Sequence, residues 1–329
     1  AWQGWGVWSL VWGRLFGVLM GVVMAWYQSS WRPKMLFRFE KFRELFRFGI
    51  HALSVNILTY LGKNLDYILV GRFLGVEPLG VYTMAYNLVT LPQRKMSSVL
   101  TGVAFPVFSR IQDDDERLAR NYLKMLRYIS FLTFPLLTSL MVLCPYFVKV
   151  VLSEKWEAAV VPMQIMCVLG MYSSISTTIG SIFYAKGRPD LEFKVDIVNL
   201  AVLAGFVFAG VRYGINGVAA AVTLVSFISK PVIFSIVARL LKIRLWDIYQ
   251  ATTPAFVSSV AMAAVILATD YVLETVWGVP LTVRFFALVI LGAGSYLAFQ
   301  KIFRIDTLSE FYQMMVWTVR AKQKERAGA

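Results

Sequence analysis

The stretch YISFLTFPLLTSLMVLCPYFVKVV, residues 128–151, decides the fold class of this chain. A helix needs about 20 mostly apolar residues to cross the hydrocarbon core of a bilayer, and this stretch contains a single charged residue, Lys149. The rest of the chain has the same character, since 58% of its 329 residues are hydrophobic and only 16% are charged. Soluble domains carry about 25% charged residues. The composition therefore excludes an ordinary soluble enzyme and a disordered chain.

Nine segments are long and apolar enough to span a membrane, and short connections join them. We therefore predict an all-α fold, a polytopic integral membrane helical bundle of about nine transmembrane helices. The predicted spans are 4–28, 48–73, 80–106, 128–151, 158–184, 195–212, 215–238, 252–273 and 281–300.

The basic residues indicate how these spans are oriented. The chain has 33 Lys and Arg against 19 Asp and Glu, a net charge of +14. Alternate connections, together with the C-terminal tail, hold 23 of the basic residues; the other connections hold 5, and 5 lie within spans. By the positive-inside rule this places the C-terminus in the cytoplasm and predicts a multi-pass plasma-membrane protein. The charge thus predicts contact with anionic membrane lipids and no nucleic-acid partner.

Two segments at the cytoplasmic side alternate apolar and charged residues at helical spacing, 34–47 and 305–319. They fit either interfacial amphipathic helices or helical extensions of the neighbouring spans. The same alternation places residue 1 outside the cell without a signal peptide. We therefore expect the chain to be the C-terminal part of a longer protein.

Several spans carry a polar stripe along one helical face. Charged residues at bilayer depth are costly and usually face a cavity, so we predict a hydrated, cationic cavity that suits an anionic headgroup such as phosphate or pyrophosphate. The candidate headgroup and cavity residues are Arg14, Lys63, Asn64, Asn87, Thr90, Arg94 and Lys230. Asp66 is a candidate for ion coupling, or it neutralises Lys63 at i,i+3. Lys230 and Lys95 alternatively extend toward the lipid headgroups.

No catalytic or metal motif stands out. The acidic run Asp113–Glu116 fits a helix N-cap with an acidic first turn better than a metal-dependent glycosyltransferase site, because no other acidic cluster accompanies it. The chain has one histidine, His51, and two cysteines, Cys144 and Cys167, which lie in apolar runs and read as small packing residues. We predict no enzyme activity, no metal and no cofactor apart from H⁺ or Na⁺ coupling.

Certain motifs resemble the Wzx-type polysaccharide flippases, in particular the colanic-acid and teichuronic-acid exporter branch of the multidrug/oligosaccharidyl-lipid/polysaccharide (MOP) superfamily. The resemblance covers essentially the whole chain. The motifs are GxGVWSLV from Gly4, Phe48–Ile50, NLDYILVGRFLG from Asn64, PLGVY from Pro78, AYNL from Ala85, Leu91–Pro92, FPVFSRI from Phe105 and KGRP from Lys186.

This resemblance implies helices 6–14 of a 14-helix flippase. The implied organisation is the last helix of the N-lobe at 1–28, a cytoplasmic amphipathic linker at 29–47, a six-helix C-lobe at 48–245, two additional helices at 246–304 and a cytoplasmic tail at 305–329. The implied function is to flip undecaprenyl-pyrophosphate-linked oligosaccharide across the bacterial inner membrane by alternating access, with polysaccharide-assembly proteins as partners.

Three other functions remain open from the sequence. A multidrug antiporter would favour an acidic cavity for cationic drugs. A peptidoglycan lipid II flippase shares the fold and is separated only by the resemblance. A polytopic membrane glycosyltransferase would need outward-facing carboxylates, and Glu154, Glu157, Asp270 and Glu274 are sparse on that side.

Overall fold

The chain is helical throughout the part that the structure, a computed structural model, describes. That part comprises residues 6, 8–29, 39–276 and 278–302, so residues 30–38 of the predicted linker and the predicted tail 305–329 lie outside it. Its α-helices are α1 (Trp8–Gln28), α2 (Phe39–Phe73), α3 (Val76–Arg110), α4 (Asp115–Phe147), α5 (Val160–Ile175), α6 (Ile179–Ala185), α7 (Pro189–Gly210), α8 (Gly214–Leu240), α9 (Leu245–Thr275) and α10 (Leu281–Ile302). The predicted all-α fold is confirmed.

Five helical runs in the described residues are long and apolar enough to cross a membrane. They are Asp115–Leu152, Glu154–Ala185, Pro189–Leu240, Leu245–Thr275 and Leu281–Ile302. The third run contains both α7 and α8, so the five runs cover six of the predicted spans. Helices α1 to α3 occupy the positions of the other three.

Two compact units make up the chain, residues 1–56 and 57–329, with the boundary inside α2. The first unit contains α1 and the first half of α2. Because α2 already begins at Phe39, residues 39–47 of the predicted amphipathic segment continue this helix. For that portion the structure shows the helical extension rather than a separate interfacial helix.

The predicted span 158–184 is not one continuous helix, which corrects the sequence analysis. It consists of α5 and α6, separated at Ser176–Thr178. The hydroxyl of Ser176 donates to the carbonyl of Tyr172 at 3.0 Å, and that of Thr177 donates to the carbonyl of Ser174 at 2.8 Å. Such local side-chain hydrogen bonds compete with the helical ladder, which explains why the helix breaks in its hydroxyl-rich portion.

Helices α7 and α8 form a tight hairpin because glycines allow their backbones to approach. A Cβ atom placed on Gly210 would lie 2.6 Å from the carbonyl oxygen of Gly217. The turn itself passes through Gly214, whose φ of 68° is in the left-handed region that favours glycine. The close pairing of α7 with α8 places their polar residues side by side.

The second unit is organised around two apolar clusters. The larger contains the most completely buried aromatic side chains, Tyr82, Phe108, Tyr122, Phe183 and Phe234. The smaller joins α4 to the α9–α10 hairpin through Phe131, Met262, Ile266, Leu288 and Tyr296. Both cysteines are buried and free, as expected of packing residues.

At one end of the bundle, Asp115 holds three connections together. Its carboxylate lies 2.6 Å from the ammonium of Lys186, which precedes α7, and 2.6 Å from that of Lys242, which precedes α9. The Asp115 carboxylate raises the pKa of the Lys242 ammonium. The acidic run that contains Asp115 is the predicted N-cap, since Asp114 accepts a hydrogen bond from the backbone N–H of Arg117 at 2.9 Å.

At the opposite end, the buried Arg284 joins α10 to α9 and α4. Its guanidinium lies 3.1 Å from Asp270 and 3.5 Å from Glu274, and it donates to the hydroxyl of Tyr146 at 2.8 Å. The Tyr146 hydroxyl in turn donates to Asp270 at 2.7 Å. Breaking a buried ion pair by removing one partner is strongly destabilising, so this network fixes the α9–α10 hairpin against α4.

The Asp115 and Arg284 networks lie at opposite ends of the bundle. Cysteine labelling tests which of these ends faces the cytoplasm. We expect a cysteine at Asp113, beside the Asp115 network, to be protected from an impermeant maleimide in right-side-out spheroplasts and labelled after permeabilisation. We expect a cysteine at Glu154 to be labelled in the intact spheroplasts. The basis is the excess of basic residues at the Asp113 end.

The unsubstituted protein is the control, because Cys144 and Cys167 are buried and should react slowly. If Asp113→Cys is labelled in intact spheroplasts and Glu154→Cys is protected, the predicted orientation is wrong and the chain crosses the membrane the other way round.

Candidate functional site

Asp66 on α2 is a buried carboxylate with a specific partner. Its side chain is 4% exposed, and it accepts a hydrogen bond of 2.7 Å from the hydroxyl of Tyr82 on α3. At the described positions Asp66 forms no ion pair with Lys63 within 4.0 Å. The structure therefore pairs the Asp66 carboxylate with a tyrosine, and not with Lys63 as the i,i+3 spacing suggested.

Two further tyrosines and Arg94 extend this pair into what we name the Asp66 network: Asp66, Tyr67, Tyr82, Tyr86 and Arg94. The ring of Tyr67 lies 5.6 Å from that of Tyr82 and 5.4 Å from that of Tyr86, in edge-to-face geometry. Arg94 is close enough to Tyr67 and Tyr86 to interact with both electrostatically. The network lies at the contact of α2 and α3.

Two further predicted residues lie next to this network on α3. The Arg94 guanidinium donates to the backbone carbonyl of Asn87 at 2.9 Å and to its side-chain oxygen at 3.2 Å. The hydroxyl of Thr90 donates to the carbonyl of Tyr86 at 2.7 Å. Arg94 remains exposed, so its guanidinium is held in direction by Asn87 and still has donors available for a ligand.

A second group of charges lines a cleft between α2 and α7. The cleft has a volume of about 200 Å³ and is lined by Gly62, Lys63, Phe193, Asp196, Ile197, Asn199 and Leu200. Lys63 and Asp196 are both exposed. We name the set Lys63, Glu192, Asp196, Asn199 and Lys230 the charged cleft.

Electrostatic contacts connect the members of the charged cleft across three helices. Asp196 interacts with Lys230 of α8 and Lys63 of α2, and Glu192 interacts with Asp196 and Lys63. Glu192 and Asp196 are four residues apart on α7 and so share a helical face. Among the described residues none of these lysines and carboxylates forms an ion pair within 4.0 Å. The opposite charges attract one another while leaving space between them.

Asn199 has a buried side-chain oxygen without a hydrogen-bond donor. It lies one turn beyond Asp196 on the same face of α7 and lines the cleft. Buried polar atoms nearly always have a partner, so this oxygen is available to a donor that enters the cleft.

The structure divides the predicted site residues into groups. Asp66, Asn87, Thr90 and Arg94 come together at the Asp66 network, and Lys63 and Lys230 at the charged cleft. The side-chain amide of Asn64 donates to the carbonyl of Tyr60 on its own helix at 2.8 Å. Arg14 is an exposed residue of α1 in the first unit.

Two acids of the charged cleft, Glu192 and Asp196, were not predicted from the sequence. The predicted cavity had Asp66 as the main negative charge near its Lys and Arg residues. The signal was present, because Glu192, Asp196 and Asn199 recur at +4 and +3 like the stripes on the other spans. Glu192 precedes the predicted span 195–212, whereas Asp196 lies at the start of that span and was predictable from its spacing to Asn199. The charged cleft therefore carries both signs of charge.

Sequence comparisons place the chain among polysaccharide biosynthesis proteins. Residues 1–161 match a family described as polysaccharide biosynthesis protein. The chain is 32% identical over 242 residues to the teichuronic acid biosynthesis protein TuaB of Bacillus subtilis, which is 73% of this chain and 50% of that protein. It is 32% identical over 246 residues to the lipopolysaccharide biosynthesis protein WzxC of Escherichia coli, which is 72% and 50% respectively. The chain thus spans about half the length of the curated relatives it matches.

A structural comparison gives the fold independently. The lipid II flippase MurJ, in an inward closed conformation, superimposes with a TM-score of 0.74 at 18% sequence identity. The match covers 93% of this chain and 64% of that one. At this identity the likeness shows the fold alone.

Fold and apolar helices together define a multi-pass helical membrane protein with a fold like that of MurJ. Among such proteins, the chain resembles the Wzx-type polysaccharide biosynthesis proteins. The motifs quoted from the sequence indicated this resemblance, and the comparisons confirm it.

Replacing Tyr82 by Phe tests the buried pair of the Asp66 network. The substitution removes the donor to a buried carboxylate, so we expect it to lower the free energy of unfolding by about 1–3 kcal/mol. Equilibrium unfolding of the detergent-solubilised protein by SDS measures this loss. In an Asp66→Ala background the same substitution should cost less, since no carboxylate remains.

Tyr86→Phe is the matched control, because the described residues show no hydrogen-bond partner for the Tyr86 hydroxyl. Equal losses from Tyr82→Phe and Tyr86→Phe would mean that the hydrogen bond to Asp66 contributes nothing specific.

Proposed function

We propose that this chain forms the substrate-handling part of a transporter that moves an undecaprenyl-pyrophosphate-linked oligosaccharide across the bacterial inner membrane for polysaccharide export. The transport follows alternating access. The pyrophosphate contacts basic side chains of the helical bundle, while the prenyl chain stays in an apolar environment. In this proposal the chain moves its substrate across the membrane without making or breaking a covalent bond.

The observation that carries this proposal is the juxtaposition of a charged cleft and an apolar groove on either side of α7. The groove has a volume of about 290 Å³ between α7 and α8, and it is lined by Lys194, Val195, Val198, Asn199, Val202, Ile228, Ser229 and Val232. Asn199 lines both spaces. A ligand that places an anionic headgroup in one and hydrocarbon in the other must be amphipathic. A lipid-linked anion has this chemistry.

The residues of the two groups offer suitable contacts for such a headgroup. Arginine binds phosphate oxygens through two parallel donors, and lysine binds them as a point charge. Arg94, Lys63 and Lys230 supply these groups, and the amide of Asn87 and the hydroxyl of Thr90 suit a sugar. Asp66 is the proposed group for H⁺ or Na⁺ coupling, because it is the buried carboxylate of the network.

The relatives support the same function. TuaB and WzxC are named for the biosynthesis of teichuronic acid and of lipopolysaccharide, both of which are surface polysaccharides. A succinoglycan biosynthesis transport protein of Rhizobium meliloti is 23% identical over 156 residues. A glycosyltransferase is less well supported, since the acidic run that could have formed its site caps α4.

Replacing Arg94 by Ala tests the proposal in cells. We expect the variant to abolish export of surface polysaccharide while its membrane level stays normal, because a charge-assisted contact to phosphate contributes about 1.5–3 kcal/mol. Arg94→Lys keeps the charge but loses the planar donor pair, so we expect partial export. Polysaccharide extracted from the cell surface and the protein level in isolated membranes are the measurements.

Arg110→Ala is the matched control, because Arg110 is the exposed last residue of the same helix. We expect it to leave export unchanged. Normal export by Arg94→Ala would remove Arg94 from the site.

A further inference from the structure

We infer that Asp196, assisted by Glu192, acts as an internal counter-anion that competes with the substrate headgroup for Lys63 and Lys230 and thereby sets how readily the headgroup is released. This inference rests on the proposed function and deepens it. Asp196 is a positioning residue in this account, since it acts on the ligand through the lysines.

The geometry puts the competing charges in one place. Lys63 and Asp196 line the same cleft of about 200 Å³. Helices α7 and α8 form a closely packed hairpin, and Asp196 of α7 interacts electrostatically with Lys230 of α8. Glu192 is itself positioned against α6: a Cβ atom on Gly180 would lie 3.1 Å from its carboxylate oxygen. Asp196 is therefore part of the cleft wall, and Glu192 lies one helical turn before it on α7.

The spacing of the charges favours exchange over permanent pairing. Asp196 interacts electrostatically with both lysines, but none of these groups forms an ion pair within 4.0 Å in the described part of the chain. Lys63 and Asp196 are exposed to the cleft. An anion that enters can contact Lys63 without first breaking a buried salt bridge and lies within electrostatic range of Lys230, and the carboxylates regain the lysines when it leaves.

This arrangement has a direct consequence for affinity. A cleft that holds only lysines would bind a pyrophosphate tightly and release it slowly. Two carboxylates within electrostatic range lower the net attraction, since like charges repel the ligand and opposite charges occupy the lysines. A transporter must release its substrate on the far side, so a weakened site serves turnover.

Inorganic pyrophosphate binding to the purified, detergent-solubilised protein tests the inference by isothermal titration calorimetry. We expect Asp196→Asn to bind pyrophosphate of the order of tenfold more tightly than the wild-type protein, and to export less polysaccharide in cells. Glu192→Gln should change the affinity in the same direction, which keeps the test available if one variant fails to fold. Lys63→Gln should bind more weakly.

Asp190→Asn is the matched control on the same helix. The Asp190 carboxylate accepts hydrogen bonds from Arg188 at 3.0 and 3.2 Å and does not line the cleft. The Asp190→Asn variant should therefore bind pyrophosphate with the affinity of the wild-type protein. If Lys63→Gln weakens binding while Asp196→Asn and Glu192→Gln bind no more tightly than wild type, the counter-anion role is wrong and the proposed function stands. If wild type, Asp196→Asn and Glu192→Gln all fail to bind pyrophosphate, both the inference and the proposed anion site are overturned.

Discussion

A charge that a helix carries to bilayer depth needs an opposite charge, a hydrogen-bond partner or water, and the arrangement of the bundle follows from this cost. The buried carboxylate of Asp66 has the Tyr82 hydroxyl, and at one end of the bundle the buried guanidinium of Arg284 has Asp270 and Tyr146. The polar backbone meets the same requirement by remaining helical, since a bilayer offers no water to free N–H and C=O groups. Where the α5–α6 segment leaves the helix, the hydroxyls of Ser176 and Thr177 satisfy the local carbonyls.

The same cost explains why the two ends of the second unit differ from its middle. At the ends, Asp115 and Arg284 make short ion pairs that fix one connection to another. In the charged cleft, lysines and carboxylates interact without such pairs. Closed pairs stabilise the fold, whereas separated charges leave the cleft able to accept a ligand. The contrast separates structural charges from charges available for function. The cavity was predicted to be cationic, but the charged cleft has equal numbers of lysines and carboxylates.

Much of the fold could be predicted from the sequence because membrane spans are constrained by length and hydrophobicity. The apolar run 128–151 lies within α4 and its π-helical end, and the acidic run at 113–116 begins α4 as the predicted cap. The break between α5 and α6 was not predicted, since hydropathy does not register hydroxyls that bond to the backbone. The partner of Asp66 was also not predictable, because Tyr82 lies on another helix and reads as an ordinary apolar-face aromatic. Glu192 and Asp196 were predictable from their helical spacing to Asn199, although Glu192 precedes the apolar span 195–212.

The central claim is that the chain takes part in moving a lipid-linked anionic oligosaccharide across the bilayer. The most direct measurement reconstitutes the protein, as expressed from its native gene, in liposomes that contain a fluorescent undecaprenyl-pyrophosphate oligosaccharide, and adds an impermeant quencher. The account predicts that, with the protein present, the oligosaccharide lipid of both leaflets loses its fluorescence, because inner-leaflet lipid is flipped to the outside. In protein-free liposomes only the outer-leaflet lipid should be quenched. It also predicts that a fluorescent phosphatidylcholine stays unflipped. Quenching of the oligosaccharide lipid that is the same with and without the protein would contradict the account.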